Sequence, residues 1–464
     1  MSVLTTPAGA GAADGPVARS TLVRYALGSA GMGVYVTVPG LLLLYFLTDT
    51  LGVSPWLAGL TLLVPKIVDV VLHPFVGTLS DTDRRRRGTR VRLLLVGCLL
   101  GPAFLATFAV PGAVADSEYL AALWVGGWFV LGNTLFAGYQ VPYLATPTDV
   151  AVGYDERTRI MSFRMIVLTV GILVSGALAP LLADEDSGVG GYVVMAAALG
   201  AFMLVFQVVG VGGVRRLAPA TAPVTAPEAH RPARAALTES VSVLRANPSF
   251  RILVTSYLLM STTTHLVLAG LPYFAEYELD RPAFTTVLMA AFMAPALLTT
   301  PLWFRLSRSR GKQRCLLAAQ ALFVAGSLVL LVGARLGLVV VVLATLALGV
   351  AFAGLQLFPF SMVPDTVRAG GETELARAGA YTGVWTATEA VGAAAGPYLY
   401  SAALALGGFV ASTAGEDVVQ TEGARLAVLL GFTVISAVVM GLALLSQRRY
   451  RLDGAAQREP APVA

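Results

Sequence analysis

The feature that most constrains this chain is a series of apolar runs, separated by short polar breaks. About 20 apolar residues in a helix cross the hydrocarbon core of a bilayer, and only helices or closed barrels satisfy their backbone hydrogen bonds there. Charged residues make up 13% of the chain, against about 25% in soluble domains. The sequence therefore predicts an all-α membrane protein with twelve transmembrane helices, at residues 22–48, 56–80, 91–114, 119–146, 160–182, 190–213, 250–276, 283–305, 314–333, 338–363, 379–407 and 423–446.

Positive charge predicts the orientation of these helices. If both termini lie in the cytoplasm, about 28 of the 32 Lys and Arg residues fall on the cytoplasmic side, as the positive-inside rule requires. Topology therefore explains the net charge, and no nucleic-acid partner is expected. Residues 1–19 and 447–464 are predicted to be a disordered N-terminal tail, which has no signal-peptide pattern, and a cytoplasmic C-terminal tail. We expect a multi-pass plasma-membrane protein that contacts the bilayer and a small-molecule substrate and functions as a monomer.

The chain also divides into two similar halves. Residues 215–248 are rich in Pro and Ala, which is typical of a linker, and they separate six helices in residues 20–214 from six in residues 249–446. The segment 136–140 (FAGYQ) in helix 4 is echoed by 352–356 (FAGLQ) in helix 10. Duplicated six-helix halves are typical of transporters that bind substrate at midplane between them. Further matching positions are Asp149 with Asp365 and Cys98 with Cys315.

Predicted helix 2 carries a stripe of ionisable side chains. Lys66, Asp69 and His73 are three and four residues apart, so they share one helical face. An ionisable residue at the bilayer centre costs about 2.5–3.5 kcal/mol or more and normally faces protein or water. We predict that this stripe binds the coupling cation, with Asp69 as the carrier and His73 as a proton relay. The alternative is a structural Lys–Asp pair, with His73 donating to a backbone carbonyl.

Other polar residues in apolar helices are candidate substrate contacts. His265 in helix 7 and Glu389 in helix 11 could contact the solute or form interhelical hydrogen bonds. Gln140 and Gln356 occupy equivalent positions in the two halves, and an amide in lipid needs a partner. These positions therefore predict a polar site between the halves or, alternatively, polar packing within the bundle.

The cytoplasmic end of helix 2 predicts a gate. The helix dipole disfavours Asp81 there, so a neighbouring arginine such as Arg85 would compensate, and a contact that breaks on opening would act as a gate. Positive-inside anchoring explains the arginines but not the aspartate. Arg164 in helix 5 is a second gating candidate, which either closes against an acidic group or extends to the interface.

These motifs resemble those of one transporter family. Gly77, Asp81 and the arginines that follow resemble the signature loop of the major facilitator superfamily. Residues 66–74 resemble the helix-2 motif of the glycoside–pentoside–hexuronide:cation symporters, which include melibiose permeases, and residues 141–164 and 385–396 resemble two further segments of that family. The resemblance implies two pseudo-symmetric six-helix bundles of the major facilitator fold, and cation-coupled symport by alternating access.

The resemblance also assigns roles to single positions in the cation site. Lys66 matches the basic position and Asp69 the first acidic position, whereas His73 occupies the second acidic position. A hard oxygen ligand is thus replaced by a group that titrates near neutral pH. The resemblance therefore leaves the coupling ion open between Na⁺ and H⁺.

Positions that read the sugar in melibiose permeases differ here. The two sugar-binding aspartates fall on Gly33 and Gln140, and the stacking aromatic falls on Leu144, whereas Arg164 and Thr386 match. Loss of the sugar-reading carboxylates favours a less polar glycoside or an amphiphile. The candidate substrate-binding residues are Gln140, Gln356, His265, Trp385, Thr386 and Glu389.

The sequence predicts a proton- or sodium-coupled secondary active transporter for a glycoside-like or amphiphilic solute. A lipid or lysolipid translocator, or a drug exporter of the same fold, is the alternative. A receptor or an intramembrane enzyme is a third class, but the sequence has no phosphate-binding loop, no metal-ligand spacing and no recognisable catalytic constellation. We therefore expect no enzymatic activity and no cofactor beyond the coupling ion.

Overall fold

A computed structural model of the chain describes residues 17–150, 154–183, 188–219, 242–369, 378–414 and 418–450. Within these residues twelve long helices succeed one another. The first half contains α1 Arg19–Thr50, α2 Pro55–Arg87, α3 Val91–Phe108, α4 Glu118–Ala145, α5 Tyr154–Leu182 and α6 Val189–Leu217. The second half contains α7 Pro248–Glu278, α8 Phe284–Arg310, α9 Lys312–Leu336, α10 Leu338–Ala369, α11 Ala378–Leu406 and α12 Glu422–Gln447.

Ten of these helices are each long and apolar enough to cross a membrane, within the described residues. The eleventh is α2, whose segments Pro55–Val70 and Phe75–Arg87 are bent by 41° relative to each other. A proline at position 74 cannot donate the backbone hydrogen bond that a straight helix needs there. The twelfth, α11, has 29 residues but is less apolar because it carries Glu389 and several glycines and threonines. The predicted twelve-helix fold is confirmed.

The predicted helix ends differ from the observed ones by several residues. The second helix continues to Arg87 rather than residue 80, and the third stops at Phe108 rather than residue 114. The sixth continues to Leu217, past the predicted start of the linker at residue 215. Most of both predicted tails, and most of the predicted linker, lies outside the described residues.

The two halves repeat the same helix packing. In the first half α1 packs against α5 and α6, and α4 packs against both α2 and α3; in the second half α7 packs against α11 and α12, and α10 against both α8 and α9. Contacts between the halves follow the same symmetry, because they pair α1 with α7, α2 with α11, and α5 with α8. The duplication seen in short sequence segments therefore extends to the whole helix arrangement.

The bundle has two ends that differ in how the halves meet. We call the end at which α1 begins and α12 ends the terminal face, and the other end the opposite face. Near the opposite face Gly59 on α2 packs against Ser401 on α11, and Gly176 on α5 packs against Met289 on α8. The Ser401 hydroxyl also donates a hydrogen bond to the Pro55 carbonyl across the halves. These contacts join the halves toward the opposite face.

Glycines allow α1 and α6 to cross with their backbones in contact. A Cβ atom placed on Gly210 would lie 2.5 Å from the Gly28 Cα atom, and one placed on Gly213 would lie 2.3 Å from the Tyr25 amide nitrogen. Small residues at such crossings increase van der Waals contact between helices that gain no hydrophobic free energy by associating in lipid. The sequence of α6 supplies a glycine at both of these close approaches.

We predict that Gly210→Ala destabilises the protein, because the new methyl group meets backbone atoms of α1 that cannot move aside. The expected loss is about 1–3 kcal/mol, measured as a lower midpoint of thermal unfolding in detergent. Gly212→Ala is the matched control, since a Cβ there has no neighbour within 4 Å, and it should be neutral or slightly stabilising. Equal midpoints for the two variants would contradict the proposed backbone contact.

Candidate functional site

The ionisable stripe of α2 forms a contiguous charged cluster. Asp69 is 6% exposed, and Lys66 and His73 are half-buried. His73 Nδ1 donates a hydrogen bond to the Asp69 carbonyl oxygen at 2.9 Å and lies 3.2 Å from the carboxylate Oδ1. Lys66 precedes Asp69 by one turn on the same face of α2, and its ammonium lies 5.5 Å from the centroid of the Phe129 ring. The structure therefore contains both the predicted Asp69–His73 pair and the backbone contact of the alternative interpretation.

Neighbouring helices hold this part of α2 in place. Tyr35 on α1 donates a hydrogen bond to Asn133 Oδ1 on α4 at 3.0 Å, and Asn133 Nδ2 donates to the Pro65 carbonyl at 3.3 Å. The side chain of Gln140, also on α4, lies close to the His73 ring. Polar groups from α1 and α4 thus lie beside this part of α2, and their hydrogen bonds to one another and to its backbone keep them from facing lipid unpaired. Tyr35 and Asn133 were not identified from the sequence.

The second half places a histidine opposite this cluster. His265 Nδ1 on α7 donates a hydrogen bond to the Ser261 carbonyl at 2.8 Å, and the Ser261 hydroxyl donates to the Glu389 carbonyl on α11 at 3.2 Å. The Lys66 charge acts on His265 across the two halves. The first half thereby contributes the charges, and the second half faces them with a histidine anchored to its own backbone.

Glu389 adjoins an aromatic cluster in the second half. Its carboxylate lies close to the Tyr257 hydroxyl, and the Tyr257 ring stacks on Trp385 with centroids 3.9 Å apart. Phe360 on α10 packs edge-on against both rings, with centroids 5.7 and 5.5 Å away. The buried Trp385 is therefore part of a flat aromatic wall whose edge carries an acidic group. Tyr257 and Phe360 were not identified from the sequence.

Two predicted substrate residues lie apart from these groups. Thr386 is exposed and donates a hydrogen bond to the Thr382 carbonyl one turn earlier, at 3.1 Å. Gln356 is also exposed. In the part of the chain that the structure describes, neither forms a hydrogen bond with the charged cluster of α2.

Arg164 is a buried cation near the start of α5. It is 6% exposed, and its Nη1 lies 3.4 Å from the Met165 sulfur. Its charge faces Tyr25 and Tyr143, whose rings stack with centroids 4.5 Å apart. The predicted acidic partner does not lie within ion-pair distance of Arg164 among the described carboxylates. The Nε atom has no hydrogen-bond partner there.

An arginine cluster ties α2, α3 and α4 together at the terminal face. Arg90 donates hydrogen bonds to Asp149 at 2.8 Å, to Asp81 at 2.7 Å and to Ser80 at 2.7 Å. Burial lowers the pKa of the Arg90 guanidinium, but both carboxylates raise it further than burial lowers it, so the pKa is raised overall and the group stays charged. The partner of the gating candidate Asp81 seen here is Arg90, whereas Arg85 was predicted.

The second half has a smaller counterpart of this cluster. Lys312 at the start of α9 donates to the Asp365 carboxylate on α10 at 2.5 Å and to the Ser361 carbonyl at 3.2 Å. Asp149 and Asp365 were recognised as matching positions in the sequence, and that repeat was the available signal for both ion pairs. Their cationic partners could not be identified because several arginines lie equally near in the sequence.

Comparison with known proteins places the chain among transporters. The profile of a family described as "MFS/sugar transport protein" matches residues 24–454. The chain is 27% identical over 274 residues to YagG of Escherichia coli, which is provisionally named a glycoside/cation symporter, and the aligned region covers 57% of this chain and 56% of YagG. It therefore spans about half the length of that relative.

A vertebrate relative and a solved structure extend the comparison. The sodium-dependent lysophosphatidylcholine symporter 1 of Mus musculus is 23% identical over 375 residues, covering 74% of this chain and 69% of the symporter. The crystal structure of the nucleoside transporter NupG matches with a TM-score of 0.65 at 15% identity, covering 94% of this chain and all of NupG. At that identity the structure supports the fold alone.

We predict that Asp149→Asn destabilises the protein, because it deprives buried Arg90 of a charged partner that it contacts through two nitrogen atoms. The expected loss is about 1–3 kcal/mol, measured by thermal unfolding. The control is Asp280→Asn, which removes the partner of Arg425 in an exposed pair at 3.4 Å, and it should cost under about 1 kcal/mol. Unchanged stability of the Asp149 variant would show that Arg90 does not need this carboxylate.

Proposed function

Because the chain belongs to the MFS/sugar transport protein family, we propose that it is a cation-coupled symporter that works by alternating access between its two six-helix halves. The observation that carries this proposal is Asp69, a buried carboxylate that lies 3.2 Å from the His73 ring nitrogen and shares a helical face with Lys66. A carboxylate at this depth is costly unless it is compensated or occupied. Binding and release of a cation at Asp69 would therefore couple to opening of the bundle.

The geometry favours a proton over sodium as the coupling ion. A hard cation such as sodium is bound by several oxygen ligands, whereas the groups that flank the Asp69 carboxylate are the His73 nitrogen and the Lys66 ammonium. A proton needs only one site, and the carboxylate or the imidazole can hold it. Gln140, which lies close to His73, would orient the ring for transfer. Lys66, through its interaction with His265, would transmit the change in charge to the second half.

The solute that this arrangement favours is a glycoside-like or amphiphilic molecule. Binding sites for such molecules combine apolar and aromatic walls with a few polar groups that fix orientation. Here Trp385 and Tyr257 supply the wall and Glu389 the polar group at its edge, while His265 and Gln140 lie toward the charged cluster.

Thr386 and Gln356, which are exposed, would contact a larger solute. Arg164, buried without a carboxylate beside it, would serve the gate or an anionic part of the solute.

A lysolipid or another single-chain amphiphile is the second candidate substrate. Besides the relative named for lysophosphatidylcholine, the chain has an apolar groove of about 400 Å³ on α4 near the opposite face. Trp124 and Trp128 pack together in its wall, with centroids 6.1 Å apart, and leucines line the rest. An acyl chain fits such a groove better than a sugar does. Lysolipid uptake without glycoside uptake would favour this candidate.

The same proposal fixes location and orientation. The terminal face carries Arg84 to Arg87 and Arg90, whereas Arg281, Arg335 and Arg425 lie toward the opposite face. By the positive-inside rule the terminal face is cytoplasmic, so both termini lie in the cytoplasm and the protein spans the plasma membrane. Its partners are the bilayer and a small molecule, the functional unit is a monomer, and no covalent chemistry accompanies transport.

We predict that Asp69→Asn abolishes uphill uptake into proteoliposomes, because a neutral amide cannot take up the coupling ion. Uptake under an imposed pH gradient should fall at least tenfold, while exchange of internal for external solute at equal concentrations should persist. Asp116→Asn, at an exposed loop position, is the matched control and should transport as the unmodified protein does. Gradient-driven uptake at full rate by the Asp69 variant would remove this carboxylate from coupling.

The same liposomes distinguish the two ions. We expect a pH gradient, acidic outside, to drive uptake without sodium, and a sodium gradient at equal pH to add little. Uptake that needs sodium and ignores the pH gradient would overturn the assignment to protons while leaving symport intact.

A further inference from the structure

The first helices of the two halves end at the opposite face in the same irregular way. The last turn of α1, Phe46–Thr50, and the last turn of α7, Phe274–Glu278, are both π-helical. Each turn follows a tyrosine, Tyr45 or Tyr273. A π turn accommodates an extra residue and so changes the direction of the side chains around it, and such turns are frequent at functional sites. The two turns are therefore equivalent elements of the pseudo-symmetric halves.

These two turns contact each other through a pair of symmetry-related hydrogen bonds. Aligning them from their tyrosines pairs Thr48 with Glu276. The Tyr45 hydroxyl donates to the Glu276 carboxylate across the halves. In the equivalent contact the hydroxyls of Tyr273 and Thr48 are hydrogen-bonded at 2.6 Å. The pattern is thus repeated in both directions, with a carboxylate in one copy and a hydroxyl in the other.

A third contact lies on the pseudo-twofold axis itself. The same alignment pairs Asp49 with Tyr277, and the Tyr277 hydroxyl donates to the Asp49 carboxylate. Because each residue is the counterpart of the other, this contact is its own equivalent. Thr48 also hydrogen-bonds to Asp49, and the Tyr45 and Tyr273 rings meet edge-on at 5.2 Å. We call the contacts of these turns the tyrosine–carboxylate latch.

The centre of the latch is buried, and its edge is partly exposed to solvent. Tyr45, Tyr273 and Thr48 are 5%, 0% and 0% exposed, whereas Asp49, Glu276 and Tyr277 are half-buried. When the contacts break, water can replace the tyrosine hydroxyls at the carboxylates, so the loss of each hydrogen bond is largely compensated. A buried centre with partly solvated polar contacts at its edge can therefore stabilise the closed conformation without preventing the open one.

Residues 409–414, which follow α11, pack over the latch. The Ser412 amide donates to the Thr48 carbonyl at 2.9 Å and the Ala414 amide to the Thr50 carbonyl at 3.1 Å. Phe409 packs edge-on against Tyr277 with centroids 5.2 Å apart. This segment belongs to the second half but bonds to the backbone of the first. It would have to leave α1 whenever the halves separate at this face.

We propose that the tyrosine–carboxylate latch is the gate of the opposite face, which breaks once per cycle to admit solute to the charged cluster of α2. The inference rests on the alternating access proposed above and assigns the residues that control one of its two openings. In the present conformation the latch is closed.

The experiment measures the distance between the halves and needs no substrate. Spin labels are placed at Asp116→Cys and Leu336→Cys, two exposed positions near the opposite face in different halves. Both native cysteines, Cys98 and Cys315, are buried, which limits background labelling.

Double electron–electron resonance then compares the unmodified latch with the double variant Tyr45→Phe and Tyr277→Phe, which removes only the two donating hydroxyls. Tyr400→Phe is the control, since Tyr400 packs on Tyr273 but its hydroxyl lies near a carbonyl of its own half.

The expected result is a longer-distance population that grows at least threefold in the double variant and is unchanged in the control. A distance distribution identical to that of the unmodified protein would overturn the proposal. If the double variant does not fold, Tyr277→Phe alone is judged by the same two outcomes. Because no transport is measured, failure of the latch proposal stays distinguishable from failure of the symport proposal. If the Asp69 variant loses coupling but the Tyr45→Phe and Tyr277→Phe double variant keeps the distance distribution of the unmodified protein, symport is retained and the latch is rejected.

Discussion

The cost of holding charge away from water governs this molecule. In an apolar bundle an ionisable side chain must be paired, solvated or used, and two of the buried charges described here have charged neighbours. Arg90 is paired with two carboxylates. Asp69 is compensated by Lys66 and by the His73 ring. Arg164, by contrast, faces aromatic rings without an adjacent carboxylate. Asp49 and Glu276 instead accept hydrogen bonds from tyrosines of the other half, so rocking of the halves would change the environment of these two carboxylates.

The two halves share one helix arrangement, and the charged and aromatic groups of the candidate site differ between the halves. The same helix pairs pack in both halves, the ion pair of Arg90 has a smaller counterpart in Lys312, and the ends of α1 and α7 mirror each other. Within this arrangement, however, the charged cluster belongs to α2 alone, whereas the aromatic wall belongs to the second half. On the proposed assignment the ion binds to the first half and the aromatic wall of the second half contacts the solute, so that binding of either would affect the interface between the halves.

The sequence predicted the fold almost completely but the site only in part. Twelve apolar segments and their duplication sufficed for the helices, because lipid leaves few alternatives to a bundle of helices. Spacing alone put Lys66, Asp69 and His73 on one face. Tyr35, Asn133 and Tyr257 were missed, since an isolated Tyr or Asn in an apolar helix has no periodic signal. Arg90 was missed as the partner of Asp81 because four consecutive arginines lie nearer to it in the sequence.

By itself, then, the sequence determined the class of fold, the number of helices, the two halves and the helix that carries charge. These properties follow from hydrophobicity and periodicity, which are local to each segment. The tertiary structure decided which charges pair and that the ends of α1 and α7 close against each other. The contacts between α1 and α7 join residues more than 200 positions apart, and all of these contacts depend on helix rotation and depth in the bundle. Packing fixes those variables, and no local pattern records them.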